Sequence, residues 1–234
     1  MKTVVGLCGK MGSGKDTAAQ ILKLYGFKHL AFAWHIKKFA QEVFRLSDES
    51  LWGASNLRNE PQTVYLDSWG ASYNFFQARK NFLTKLGLDD FDYEITESLR
   101  LACDPFIRPN GALVEDKYLT LIPRDILRAV GDWGRSIDQN LWVNTTMREA
   151  EHFDKVVISD VRYENEARAI NYLSCKGNYN AGVIKIIRNN EQAKDDHSSE
   201  LEQDSLPDTC FFDIYQNNRS ILALHCHLVE ELYL

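Results

Sequence analysis

The stretch GKMGSGKDT, residues 9–17, constrains this chain more than any other. Gly9, Gly12 and Gly14 fall within six positions, so the backbone there turns tightly and lets another group approach it closely. Before it, Thr3–Cys8 is β-branched and apolar, as a buried parallel strand is. After it, Ala18, Ala19, Ile21, Leu22 and Leu24 recur at a helical period. Strand, glycine turn and helix in this order predict a loop whose N–H groups cradle phosphate, with Lys15 reaching along the phosphate chain. Gly9, Gly14 and Lys15 meet the pattern G-x-x-x-x-G-K, and Gly12 and Ser13 complete the turn. The position after the lysine ordinarily holds a hydroxyl. Here it is Asp16, with Thr17 one place later.

A carboxylate is a harder and more anionic oxygen ligand than a hydroxyl, so Asp16 can bind Mg²⁺ directly or through water, leaving Thr17 to donate to a phosphate oxygen. Read as structure alone, Asp16 is an acidic first-turn residue favoured by the helix dipole. The two readings are compatible. A second carboxylate, Asp160, ends the apolar run Val156-Val157-Ile158-Ser159, and ligands of parallel sheets sit at the carboxyl ends of strands. Asp160 is therefore a candidate for the Mg²⁺ shell, and Arg162 for meeting phosphate charge as it develops during transfer. Alone, such an aspartate is a helix cap or turn former. Arg124, Arg128 and Arg135 stand at i, i+4 and i+11, one stripe of a continuous helix opposite Ile126, Val130 and Trp133. Guanidinium groups grip phosphate in two-pronged fashion. The ordinary alternative is a solvated arginine face, with Gly131 and Gly134 breaking the helix before Arg135.

Elsewhere, Lys28–Phe32 reads as a short strand, and Ile36, Phe39, Ala40, Val43 and Phe44 as a helix. Pro123 opens the arginine helix, and a further helix follows Asp138 as cap. Lys155–Asp160 is a strand, Glu164–Leu173 a helix and Val183–Ile187 a strand. Strands alternating with helices predict an α/β fold with a parallel sheet covered on both faces. The pattern loosens over 47–119, which reads as an insertion within a single domain spanning 1–234 rather than as a separate core. His225-Cys226-His227 lies among Ile221, Leu222, Leu224, Leu228, Val229 and Leu232, a helical face rather than a metal site.

A formal charge of −6 offers no global basic field for a nucleic-acid polymer. Five cysteines without a C-x-x-C pair argue against a disulfide framework or zinc ribbon, so a reducing cytoplasm is the expected setting. No signal peptide is expected at the N-terminus, and no run reaches the ~18 apolar residues of a membrane span.

Taken in order, GKMGSGKDT, LAFAWHIKKFA, RDILRAVGDWGRSIDQNLWV, VVISDVRYENEA and DDHSSE resemble the deoxynucleoside monophosphate kinases of bacteriophages. Asp160-Val161-Arg162 and GDWGRSIDQNLW are the most specific of these stretches, HSSE at 197–200 also matches, and the GKDT ending is common in that family. The region 47–119 is left uncovered. The resemblance implies a three-layer P-loop NTPase fold, adenylate-kinase-like, with a central parallel sheet of about five strands and inserted acceptor-binding and lid regions. It implies transfer of the ATP γ-phosphoryl group to a deoxynucleoside 5′-monophosphate, in the host cytoplasm if the chain is phage-encoded, and a homodimer is an admissible assembly. Carried over by position, Lys15, Asp16 and Thr17 serve ATP and Mg²⁺, and Asp160 and Arg162 the transfer site. Arg124, Arg128, Arg135 and Trp142 line the acceptor side, with Glu166 a further candidate; stacking on a base is one role for Trp142, and a plain core tryptophan is the ordinary alternative. Residues 189–208 have the polar character of a lid or of a plain surface loop; lids of related kinases often carry arginine, whereas this stretch is acidic, with Arg188 just before it. Two rivals stand beside this reading: a dephospho-coenzyme A kinase-like enzyme, and a nucleotide-binding switch that hydrolyses slowly or not at all.

Overall fold

The structure, a computed structural model, describes residues 1–10, 12–52, 56–111, 117–188 and 206–233. They form two compact units, residues 1–32 with 146–234, and residues 33–145.

The first unit is built on a five-stranded sheet. In chain order its strands are β1 (Lys2–Cys8), β2 (Lys28–Leu30), β5 (Lys155–Val161), β6 (Tyr179–Ile187) and β7 (Asp213–Gln216). The spatial order is β2-β5-β1-β6-β7 and every pairing is parallel. Cys8, the last residue of β1, stands opposite Val161 of β5 on one side and Lys185 of β6 on the other. The carboxyl ends of the three central strands therefore lie side by side. This is the parallel α/β sheet the sequence predicts. β7 was not legible because its four residues alternate between partial and full exposure and offer no buried run.

Helices cover both faces. Val5 and Leu7 of β1 join a core with α1 (Lys15–Leu24) and with the last helix, α9 (Ile221–Leu232). The opposite face meets α8 (Glu164–Ser174), whose Ile170 comes so near β1 that a Cβ at Gly6 would lie 2.7 Å from its Cδ1. On α9, His227 Nε2 is 2.6 Å from Asp213 Oδ2 and His225 Nε2 is 2.7 Å from the Tyr25 hydroxyl, so the two histidines point to different partners. The helical reading of this segment holds.

The second unit is mainly helical. It comprises α2 (Trp34–Phe44), the single turn α3 (Asp48–Leu51), β3 (Gln62–Val64), α4 (Ser68–Leu86), α5 (Tyr93–Ile107), β4 (Leu119–Leu121) and α6 (Pro123–Ile137). The helix α7 (Leu141–Ala150) begins within it. β3 and β4 pair antiparallel. A core of its own runs from Ile36 to Trp142, centred on Phe39, Phe44, Leu83, Leu99 and Ile126. This is more than the insertion read over 47–119. Aromatic residues on the outside of α4, among them Trp69, Tyr73 and Phe76, hid its helical period. The caps are nevertheless conventional: Asp67 accepts from Gly70 N–H at 2.6 Å and Asp92 from Glu94 N–H at 2.9 Å, while Gly87 closes α4 at φ 78°. α6 continues unbroken through Gly131 and Gly134 to Ile137, so the break before Arg135 does not occur.

Candidate active site

Gly9, Gly12 and Gly14 adopt φ of 146°, 78° and 111°, a region that costs other residues strain. Space imposes a second demand. A Cβ at Gly9 would collide with the Ile186 carbonyl oxygen, and one at Gly14 with Asn217 Nδ2. Gly14 is the N-cap of α1 and supplies no side-chain cap, so the opening N–H groups of the helix are not met by a side chain at that position. Lys15 folds back over the turn and donates to the carbonyls of Gly9 and Lys10, the latter at 2.8 Å. Ser13 Oγ is buried without a hydrogen-bond partner among the described residues. Asp16 is exposed in the first turn of α1, and Thr17 is half-buried beside it. Glycine cradle, uncapped helix start, lysine and orphaned hydroxyl together suit a polyphosphate.

Asn217 was not legible as part of this turn. It is buried and follows β7; its Nδ2 donates to Ser13 O at 2.7 Å, while its backbone N–H holds Ile187 O at 2.7 Å. Nothing in the local sequence Asn217-Asn218-Arg219-Ser220 marks it as other than a turn, because the contact spans the fold.

At the end of β5, Asp160 Oδ1 accepts from Phe32 N–H at 2.7 Å, fixing the chain just past β2, and Ser159 Oγ lies 2.6 Å from His29 Nε2. Arg162 follows with its backbone N–H donating to Glu166 Oε2 at 2.7 Å, and the same oxygen accepts from Tyr163 N–H at 3.1 Å. Glu166 is buried, and its carboxylate closes the start of α8. Its Oε2 has a structural duty: it sets the backbone from which Arg162 projects. Asp16 lies in the first turn of α1, and Asp160 stands in β5 one residue before Val161, the partner of Cys8 at the end of β1. Among the described residues no three His, Cys, Asp or Glu side chains gather as a metal site. Two carboxylates fit a Mg²⁺ ion that takes further oxygens from substrate phosphates and water.

The remaining candidates lie in the second unit. Arg124, Arg128 and Arg135 are all half-buried on continuous α6, with Arg128 3.7 Å from Asp125 and Arg135 3.3 Å from Asp132. Partly exposed pairs of this kind are weak and readily exchanged for a stronger anion. Trp142 does not join them. It is 3% exposed, its Nε1 donates to Gly131 O at 3.0 Å, and its ring lies so close over Gly134 that a Cβ there would strike it. With Phe82 also packed near, its centroid 6.3 Å away, the indole is a core element and presents no face to a base. The expected lid at 189–208 lies outside the described residues except for Leu206, Pro207 and Asp208, and HSSE at 197–200 lies wholly outside them.

A glycine turn of this geometry between a central parallel strand and a helix that begins with lysine defines the class: a P-loop kinase fold. The chain is 30% identical to a protein of Acanthamoeba polyphaga mimivirus named "Putative deoxynucleotide monophosphate kinase", across 97% of this chain and 94% of the relative. It is 24% identical to the deoxynucleoside-5′-monophosphate kinase of Escherichia phage T5, across 86% of this chain and 84% of that one. The chain belongs to this viral deoxynucleotide monophosphate kinase family. The similarity takes in the second unit, which the motif resemblance had left largely uncovered. No family model matches the chain.

Proposed function

We propose that the chain transfers the γ-phosphoryl group of ATP to a deoxynucleoside 5′-monophosphate, releasing the diphosphate and ADP, with the glycine turn as donor site. The observation that carries the reading is the conformation of that turn, in a chain that matches a viral kinase along nearly its whole length.

The turn and the start of α1 bind the donor phosphates through backbone N–H groups, and Ser13 Oγ and Thr17 add hydroxyl donors. Lys15, now satisfied by the Gly9 and Lys10 carbonyls, exchanges these for phosphate oxygens as the donor arrives. Asp16 and Asp160 are the residues that would hold Mg²⁺, which supplies charge neutralisation across the phosphates when bound. Arg162 meets the charge that develops on the moving phosphoryl group, and Arg124, Arg128 and Arg135 grip the acceptor phosphate. No covalent nucleophile is needed, since an acceptor phosphate oxygen attacks directly and the protein supplies alignment and charge.

A coupled assay of ADP release over a panel of deoxynucleoside monophosphates, with dephospho-coenzyme A included, tests this. Release that depends on one or more of the deoxynucleotides supports the proposal. Release driven by dephospho-coenzyme A alone, or nucleotide binding without acceptor-dependent release, rejects it.

A further inference from the structure

Among the described residues, the stretch LAFAWHIKKFA is a family-like motif to which the mechanism gives no task. In the structure, Trp34 of α2 lies against Trp52, just past α3, with ring centroids 4.6 Å apart and planes tilted by 51°. Lys37 Nζ stands 4.6 Å from the Trp52 centroid, and Lys38 Nζ 5.6 Å from the centroids of both rings. All four side chains are half-buried, so two cations and two indoles share one partly sheltered place. Lys38 is held there by Gln41 Oε1 at 3.0 Å, and Gln41 is in turn tied to Asp48 at 2.6 Å. The first turn of α2 contains no acidic residue.

We infer that the indoles of Trp34 and Trp52, with Lys37 and Lys38, form part of the recognition site for the acceptor nucleotide. The indoles stack on the base, and the two ammonium groups add positive charge to that which the α6 arginines bring to the 5′-phosphate. The inference rests on the kinase reading above and assigns to this tryptophan pair the stacking duty that buried Trp142 does not perform. Flat π-surface beside clustered positive charge matches a ligand made of an aromatic base joined through a sugar to a dianion. A cation over a partly exposed indole is held less strongly than a stacked base, so the ammonium groups give up the ring faces to the base and turn to the phosphate. Stacking is tolerant of base identity, so the pair favours large purine surfaces without excluding pyrimidines.

Steady-state kinetics of Trp52→Leu, Trp52→Phe and Lys37→Gln, with tryptophan fluorescence titrations by dGMP and dTMP, test the inference. Trp52→Leu is expected to raise the acceptor KM roughly tenfold or more, with the KM for ATP unchanged. Trp52→Phe, which keeps a stacking ring, restores most of the loss. Lys37→Gln raises the acceptor KM without touching stacking and covers the case in which Trp52→Leu folds poorly. Acceptor KM values and fluorescence responses that match the wild type in Trp52→Leu and Lys37→Gln overturn the inference. If the wild type transfers to no deoxynucleotide, the kinase reading fails on its own. The fluorescence titration then decides this site: a response lost in Trp52→Phe supports it, and no wild-type response refutes it.

Discussion

Asn217 shows what one residue does for the donor site. The peptide it holds carries Ser13 at the heart of the phosphate turn, and its Nδ2 lies where any side chain at position 14 would stand. Replacing it by alanine leaves the Ser13 carbonyl buried without its 2.7 Å donor. A buried acceptor stripped of its partner costs about 1–3 kcal/mol. Asn217→Ala is therefore expected to lose stability of that order in urea unfolding and to raise the KM for ATP while leaving the acceptor KM in place. An unchanged ATP KM would show that the clamp does not shape the turn. Sequence made the glycines and Lys15 legible, because their chemistry is written in consecutive residues. It hid Asn217, whose partner is 204 positions away, and the burial of Glu166 and Trp142, which depends on what packs over them.

At the scale of the element, α6 carries two chemistries, half-buried arginines along one stripe and Ile126, Val130 and Trp133 in the core. Its two glycines read alike in sequence and differ in space. At Gly134 the Trp142 ring leaves no room for a Cβ, whereas at Gly131 the nearest atoms are at ordinary contact distance, 3.4 and 3.7 Å. Gly134→Ala is expected to destabilise by about 1–3 kcal/mol through overpacking. Gly131→Ala should be neutral or stabilising, since alanine exceeds glycine in helix propensity by up to about 1 kcal/mol. Paired urea melts measure both, and equal effects at the two sites would contradict the packing described. The regular helix was legible from its period and from Pro123. The close approach of Trp142 was not, because one glycine in a helix signals a break and a contact equally well.

For the whole molecule, two compact units each carry a core, and the cysteines sample both. None of the five is in a disulfide: Cys8, Cys103 and Cys210 are buried, and Cys175 and Cys226 exposed. Burial, with Asp104 adding like charge, pushes the Cys103 thiol up to about 12 from an ordinary 9.0, and burial also raises Cys210. The thiolate is the reacting form, so a neutral alkylating reagent at pH 8 should label Cys175 and Cys226 promptly and Cys103 only on unfolding. Mass spectrometry of the labelled protein reads the pattern. The sign for stability follows from the same shift: the folded state keeps Cys103 protonated, so its contribution is intact below about 9 and is lost as pH rises towards 12. The sheet was legible at this scale except for edge strand β7. The second unit was not, since its core draws on helices scattered from Trp34 to Trp142 rather than on one patterned run.

The central claim is that the glycine turn and Lys15 hold the phosphate chain of ATP. Isothermal titration of a non-hydrolysable ATP analogue with Mg²⁺ into wild type and into Lys15→Ala, both checked for equal folding by circular dichroism, tests it most directly. The wild type is expected to bind at one site and the variant to bind far more weakly. Equal binding in both, or none in the folded wild type, would contradict the account.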